Sequence, residues 1–205
     1  MREAPKIAGF VLAGGESARM GRDKALLEIA GVTQVERAAR LVKTVVGSAT
    51  VVGQPRAFQN LKVRAIADDW PGAGPLGGIA TALRASEAAW NLIVACDLPY
   101  LTREWLEFLL KRAADLSEEA DAVLPMNERG AEPLCAMYHK RCESAVWLAL
   151  DRGTRKVTDG LARLRVAHVE REEWKGFDSK GMLFKNMNSP EDYEEARQRL
   201  DSHEM

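Results

Sequence analysis

The spacing of apolar and polar positions divides the chain into alternating strands and helices. Ile7–Ala13 is a continuous apolar run closed by Gly14 and Gly15, the mark of a strand buried on both faces. A polar loop from Gly14 to Lys24 follows. Val35, Ala38, Ala39, Val42, Val45 and Val46 then recur at helical spacing and predict an amphipathic helix. Ala49–Val52 and Val63–Ile66 read as short strands. Asp68 to Pro75 is a loop rich in Gly and Pro, and Pro75 suits the first turn of a helix running to about Ser86.

Asn91–Cys96 predicts another buried strand, ending at Asp97. Thr102 caps a helix that carries Trp105, Leu106, Leu109 and Leu110 on one face. Ala122–Leu124 and Leu134–Tyr138 read as strands, Cys142–Leu150 as a helix and Arg165–Val169 as a late strand. Ser189-Pro190-Glu191-Asp192 has the form of a helix start, with a cap, a proline at the first position and acids in the first turn. That last helix runs to about Leu200.

Strands alternating with helices predict an α/β fold: a doubly wound, mostly parallel sheet with helices on both faces. No repeat, low-complexity stretch or linker interrupts residues 1–205, so a single domain is expected. Ligands of such sheets sit beyond the carboxyl ends of the strands. Three loops meet that condition, after Ala13, after Ile66 and after Cys96.

Composition narrows the function classes. With 205 residues and 46% hydrophobic content, the chain can bury a full core. Its 29% charged residues sum to a net charge of −1, which argues against nucleic acid or an anionic membrane as partner. A polyanionic ligand would have to be met by local positive charge. Cys96, Cys135 and Cys142 are odd in number and fit neither a zinc knuckle nor a disulfide framework. They read as reduced thiols in a cytoplasmic protein. His139, His168 and His203 are scattered, so no zinc cluster is expected. Gly9 breaks the first apolar run and no small-x-small cleavage site follows, so a strand is expected there rather than a signal peptide. No stretch approaches the length of a membrane span.

The first candidate loop reads Leu12-Ala13-Gly14-Gly15-Glu16-Ser17-Ala18-Arg19-Met20-Gly21-Arg22-Asp23-Lys24. Adjacent glycines allow a tight turn whose N–H groups can face phosphate oxygens. Arg19 adds a planar fork and Lys24 a point charge. It is neither a Walker A loop, lacking the closing Gly-Lys-Ser/Thr, nor a G-x-G-x-x-G loop. The second, Asp68-Asp69-Trp70-Pro71-Gly72-Ala73-Gly74-Pro75-Leu76-Gly77-Gly78, again implies close backbone approach, and Asp68 or Asp69 could accept from a base or sugar. The third is Cys96-Asp97-Leu98-Pro99-Tyr100, where Asp97 is the natural Mg²⁺ ligand, since Mg²⁺ often needs only one or two carboxylates beside phosphates and waters.

In this order, the three motifs resemble the molybdenum-cofactor guanylyltransferases, the MobA family. The resemblance continues in Glu132-Pro133-Leu134 and in Asn186-Met187-Asn188-Ser189-Pro190-Glu191-Asp192, so it spans residues 12–192. It implies a Rossmann-like nucleotidyltransferase fold and transfer of GMP from Mg-GTP to the terminal phosphate of molybdenum-molybdopterin. Leu12, Ala13, Gly14 and Gly15 would hold the nucleotide through the backbone, Lys24 its phosphates with Arg19, and Asp68 or Asp69 the base or ribose side. Asp97 would bind Mg²⁺, and Asn186 and Asn188 would lie near the acceptor. Partners would be GTP, molybdenum-molybdopterin, other cofactor-biosynthesis proteins and molybdoenzyme chaperones. Gly53 stands where the family often has Asn, and Ser189 where it has Thr. The alternatives are a CTP-dependent sister enzyme, a transferase acting on sugar or alditol phosphates, and a non-catalytic nucleotide-binding module.

Overall fold

The computed structural model describes residues 7–14 and 24–201. In chain order the strands are β1 (Ile7–Ala13), β2 (Glu28–Ile29), β3 (Val32–Thr33), β4 (Thr50–Gly53), β5 (Arg64–Ala67), β6 (Trp90–Ala95), β7 (Ala122–Asn127), β8 (Gly130–Ala131), β9 (Cys135–His139) and β10 (Val166–Val169). The helices are α1 (Gln34–Val46), α2 (Pro75–Ala85), α3 (Arg103–Asp115), α4 (Glu143–Asp151), α5 (Val157–Gly160), α6 (Arg171–Trp174) and α7 (Pro190–Asp201).

One eight-stranded sheet organises the molecule in the order β10-β7-β9-β6-β1-β4-β5, with β8 paired to β7. β1 lies parallel to both β4 and β6, β4 to β5, and β7 to β10. β9 runs antiparallel between β6 and β7. The sheet is therefore mostly parallel, as the strand–helix alternation predicts.

Alternate residues of β1 and β6 feed two cores, as a period of two requires. Val11, Ala13, Leu92 and Val94 pack on one face with Val35, Ala39 and Val42 of α1 and Trp105, Leu106 and Leu109 of α3. Phe10, Leu12 and Ile93 pack on the other with Leu76, Ile79 and Leu83 of α2 and Val146 and Leu150 of α4. Burying a large apolar side chain contributes about 1.5–3 kcal/mol, so an apolar run such as Phe10–Ala13 is explained by burial on both sides.

Helix starts follow their local chemistry. The Thr33 and Thr102 hydroxyls accept from the N–H groups of Glu36 and Trp105, both at 3.3 Å. Ser189 Oγ accepts from the Asp192 N–H at 3.2 Å, so the exchange of Thr for Ser keeps the cap. On the far side of the sheet, Asp121 accepts from the backbone N–H of Arg165 at 2.9 Å and from its Nη2 at 2.8 Å. Arg141 also pairs with it, and the two guanidinium groups hold this carboxyl far below the usual range.

Three features lie outside the sequence expectation. Glu28–Ile29 and Val32–Thr33 form a hairpin over Ala30 and Gly31, whose φ angles are +50° and +72°. Ile29 from that hairpin, Met187 and Ala196 make a small separate core. The β7–β8 hairpin and the short helices α5 and α6 are too brief for periodicity to reveal.

Candidate active site

β1, β4, β5 and β6 end along one edge of the sheet, at Ala13, Gly53, Ala67 and Ala95. The three sequence-predicted loops therefore emerge side by side. The Cys96 N–H donates to the Leu12 carbonyl at 3.0 Å and the Asp68 N–H to the Gly53 carbonyl at 3.2 Å. These bonds tie the start of the Asp97 loop to β1 and the start of the Asp68 loop to β4. Gly15 and Arg19 lie outside the described residues.

Of the four glycines in the second motif, Gly72 and Gly74 take positive φ angles of +80° and +71° with open space around them, whereas Gly77 and Gly78 serve packing. A Cβ on Gly78 would come within 3.2 Å of Leu12 Cδ2, and one on Gly77 within 2.9 Å of Trp70. Helix α2 thus lies close enough to β1 to fix Leu12 from below. Asp68 Oδ1 accepts from the Trp70 N–H and from the Thr81 hydroxyl, each at 2.9 Å. Asp69 donates its N–H to Thr81 and pairs its carboxylate with Arg84 at 3.4 Å. One oxygen of Asp68 therefore shapes the loop, and Asp69 is exposed and turned to an ion pair. Of the two, Asp68 sits next to the strand ends.

Asp97 is the centre of the charged arrangement. Its Oδ1 is buried with no hydrogen-bond partner, a rare condition for a native carboxylate. Burial raises its pKa, and the ammonium of Lys24 pulls it back. Glu132 stands close enough for the Asp97 charge to matter. Burial first, then Asp97, push the Glu132 carboxyl up to about 7, while Asn127 Nδ2 donates to its Oε2 at 3.2 Å. Asp97 thus feels the Lys24 ammonium on one hand and the Glu132 carboxyl feels Asp97 on the other. Among the described residues no group of three or more acidic, His or Cys side chains gathers into a ready-made metal cage. An unpartnered carboxylate oxygen with a second acid nearby fits Mg²⁺, which takes its remaining ligands from phosphates and water.

Lys24 Nζ donates to Asn188 Oδ1 at 3.0 Å, joining positions 164 residues apart. Asn188 and Asn186 line one polar cleft of about 660 Å³, together with Asn127, Arg129, Glu132 and Lys185. Met187 between them is 1% exposed and points to the small core instead. The alternation of the two asparagines in an extended segment places both on the cleft, as the sequence expectation had it. Glu132, Asn127 and Arg129 were not singled out as site residues from sequence. The Glu132-Pro133-Leu134 run carried the signal, without showing that β9 would bring it to Asp97.

A mostly parallel sheet whose strand ends carry Asp97, with Lys24 and Glu132 acting on it, has the form of an α/β nucleotidyltransferase. Comparison with known proteins specifies it. The family model of the MobA-like NTP transferase domain matches residues 9–168. The chain is 34% identical to a probable molybdenum cofactor guanylyltransferase of Pelotomaculum thermopropionicum, over 92% of this chain and 91% of that one. It is 31% identical to a protein of the same name from Bacillus cytotoxicus, over 92% and 95%. The structure of molybdopterin-guanine dinucleotide biosynthesis protein A from Archaeoglobus fulgidus superposes with a TM-score of 0.82 at 26% identity, covering 95% of this chain and 99% of that one. The chain belongs to the MobA-like NTP transferase family.

Proposed function

We propose that the chain transfers GMP from GTP to the terminal phosphate of molybdenum-molybdopterin, yielding the guanine dinucleotide form of the cofactor and pyrophosphate. The observation that carries this reading is the meeting of Lys24, on the predicted donor side, with Asn188, on the predicted acceptor side, next to Asp97. The names of the relatives specify guanylyl transfer and the cofactor.

An oxygen of the acceptor phosphate attacks the α-phosphorus of GTP. The new O–P bond forms as the bond to the bridging oxygen of the β-phosphate breaks, and pyrophosphate leaves with that electron pair. The attacking oxygen is already anionic at neutral pH, so no strong general base is required. The task of the protein is to bring two anions together and offset their charge. Leu12, Ala13 and Gly14 offer backbone groups to the nucleotide, and Asp68 faces its base or ribose side. Lys24 meets the phosphates, with Arg19 as the second cation. Asp97 would hold Mg²⁺, which would supply neutralisation of phosphate charge, with Glu132 near enough to feel the Asp97 charge. The cleft lined by Asn186 and Asn188 receives the pterin acceptor, whose heteroatom edge suits uncharged amides with both donor and acceptor character. We take the whole chain as one domain working in the cytoplasm, where its cysteines would be kept as reduced thiols. Cofactor-biosynthesis proteins and molybdoenzyme chaperones are its expected partners.

The test is pyrophosphate release with each of the four nucleotides, with and without molybdopterin. GTP- and acceptor-dependent release is expected. Release with CTP in preference to GTP, or none with any nucleotide, would overturn the reading.

A further inference from the structure

We infer that Asn188 is a positioning residue for Lys24, so that the segment facing the acceptor also aims the ammonium that faces the triphosphate. The inference rests on the reading of Lys24 as a phosphate ligand.

Lys24 carries its charge at the end of a flexible four-carbon stem. Its Nζ lies 3.0 Å from Asn188 Oδ1. The asparagine is anchored on both sides. The N–H of Met187 donates to the Asp97 carbonyl at 2.9 Å, and the Met187 side chain is buried against Ile29 and Ala196. On the other side, the N–H groups of Asn188 and Ser189 both donate to Asp192 Oδ2 at 3.0 Å. The backbone is therefore fastened before and after the amide that meets the lysine. Through Met187 it is fastened to the same loop that carries Asp97.

The chemistry of the pair matters as much as its geometry. An amide oxygen accepts a hydrogen bond from the ammonium and adds no charge of its own beside an incoming phosphate. A carboxylate at position 188 would neutralise it and repel the ligand. Anything in the cleft that moves Asn188 moves Lys24 as well, and the two substrate sites become linked in binding free energy.

A double-mutant cycle on the full chain tests this, with GTP affinity measured by calorimetry in Mg²⁺ and without acceptor. Asn188→Ala should weaken GTP binding by about 5- to 10-fold, at the low end of ordinary coupling between sites. In a Lys24→Ala background the same change should have no further effect. Asn188→Asp, which keeps the size of the side chain, should weaken GTP at least as much as alanine. A role confined to holding the backbone would instead give the same loss from Asn188→Ala with and without the Lys24 side chain. Thermal unfolding of each variant controls for the fold, since Asn188 is exposed and Ser189 retains the helix cap. Unchanged affinity in Asn188→Ala, or losses that add in the double variant, would overturn the inference alone. Wild-type affinity in Lys24→Ala would remove the assignment of Lys24 to phosphates, and the inference with it.

Discussion

A Cβ atom on Gly53 would stand 2.6 Å from the carbonyl oxygen of Ala13, its partner across the parallel pair of β1 and β4. No real Cβ tolerates that distance to a backbone oxygen. The position where the family resemblance implies Asn is here closed by the course of β1 itself. Gly53→Asn should therefore displace the end of one strand rather than add a contact to the nucleotide. Overpacking of this kind costs about 1–3 kcal/mol, or roughly 2–12 °C in Tm for a chain of this size. GTP affinity should fall with it, because Ala13 borders the site. A Tm equal to that of the parent in a thermal melt would show that the edge opens without strain.

Asp97→Ala separates chemistry from stability. Turnover should drop on the order of 100-fold or more, as when a group that stabilises developing charge is removed. The Tm should hold or rise, because the lost carboxylate is buried with one oxygen unbonded. Near-normal pyrophosphate release would remove Asp97 from the metal site.

Glu132 gives a pH dependence with a definite sign. In the folded, metal-free protein it keeps its proton up to about pH 7, against 4.5 for the unreacted side chain. Between those values the folded state binds more protons than the unfolded chain, so stability falls as pH rises. The loss amounts to at most roughly 3 kcal/mol above pH 7. Urea melts at pH 5 and pH 8 in chelator should show a larger decline for the parent than for Glu132→Gln. Identical declines would place this carboxyl at its ordinary pKa. A divalent cation beside Asp97 should favour the ionised form and reduce the difference.

At Gly14 the backbone φ is not in the left-handed region, and no described atom lies within 4 Å of an added Cβ. Gly14→Ala should leave Tm unchanged, so any kinetic effect arises against the ligand. If Leu12–Gly14 border the base, kcat/KM for GTP should fall roughly 5- to 150-fold, the equivalent of 1–3 kcal/mol of crowding. Cytosine is smaller than guanine, so the GTP-over-CTP ratio should narrow. Equal losses for the two nucleotides would exclude contact with the base.

Gln34 offers a stability test away from the site. It is 1% exposed, and neither its amide nitrogen nor its oxygen finds a partner. Gln34→Leu keeps most of the volume and removes two unsatisfied polar atoms, so it should stabilise the fold by about 1–2 kcal/mol. A lower denaturation midpoint would mean that bound water satisfies the amide.

The sequence reveals most of the sheet because β1 and β6 are buried on both faces and are apolar at nearly every position, Asn91 being the exception in β6. It also reveals the caps at Thr102 and Ser189, where one hydroxyl and one N–H decide the helix start. The hairpin at Ala30–Gly31 stays hidden, since two-residue strands have no measurable period. The site divides along the same line. Lys24 and Asp97 are visible as charges after glycines and after an apolar strand. Glu132 is visible only as part of a motif, because its proximity to Asp97 depends on the direction of β9. Asn188 can be assigned to the acceptor cleft from its alternation with Asn186, but its contact with Lys24 spans the whole chain and has no local signature.

The reversal of β9 has an outcome for how such a site can be modified. Every parallel strand gives the sheet edge its exit, whereas β9 gives its entrance, so the 127–134 connection arrives at Asp97 from the opposite direction to the other loops. The β7–β8 hairpin can therefore lengthen, shorten or change charge without altering the path from β1 to the phosphate loop. One wall of the cleft, the segment of Asn186 and Asn188, is tied to the Asp97 loop, while the facing wall at 127–132 hangs on a short hairpin. A change of acceptor under a constant nucleotide donor can therefore begin at that hairpin.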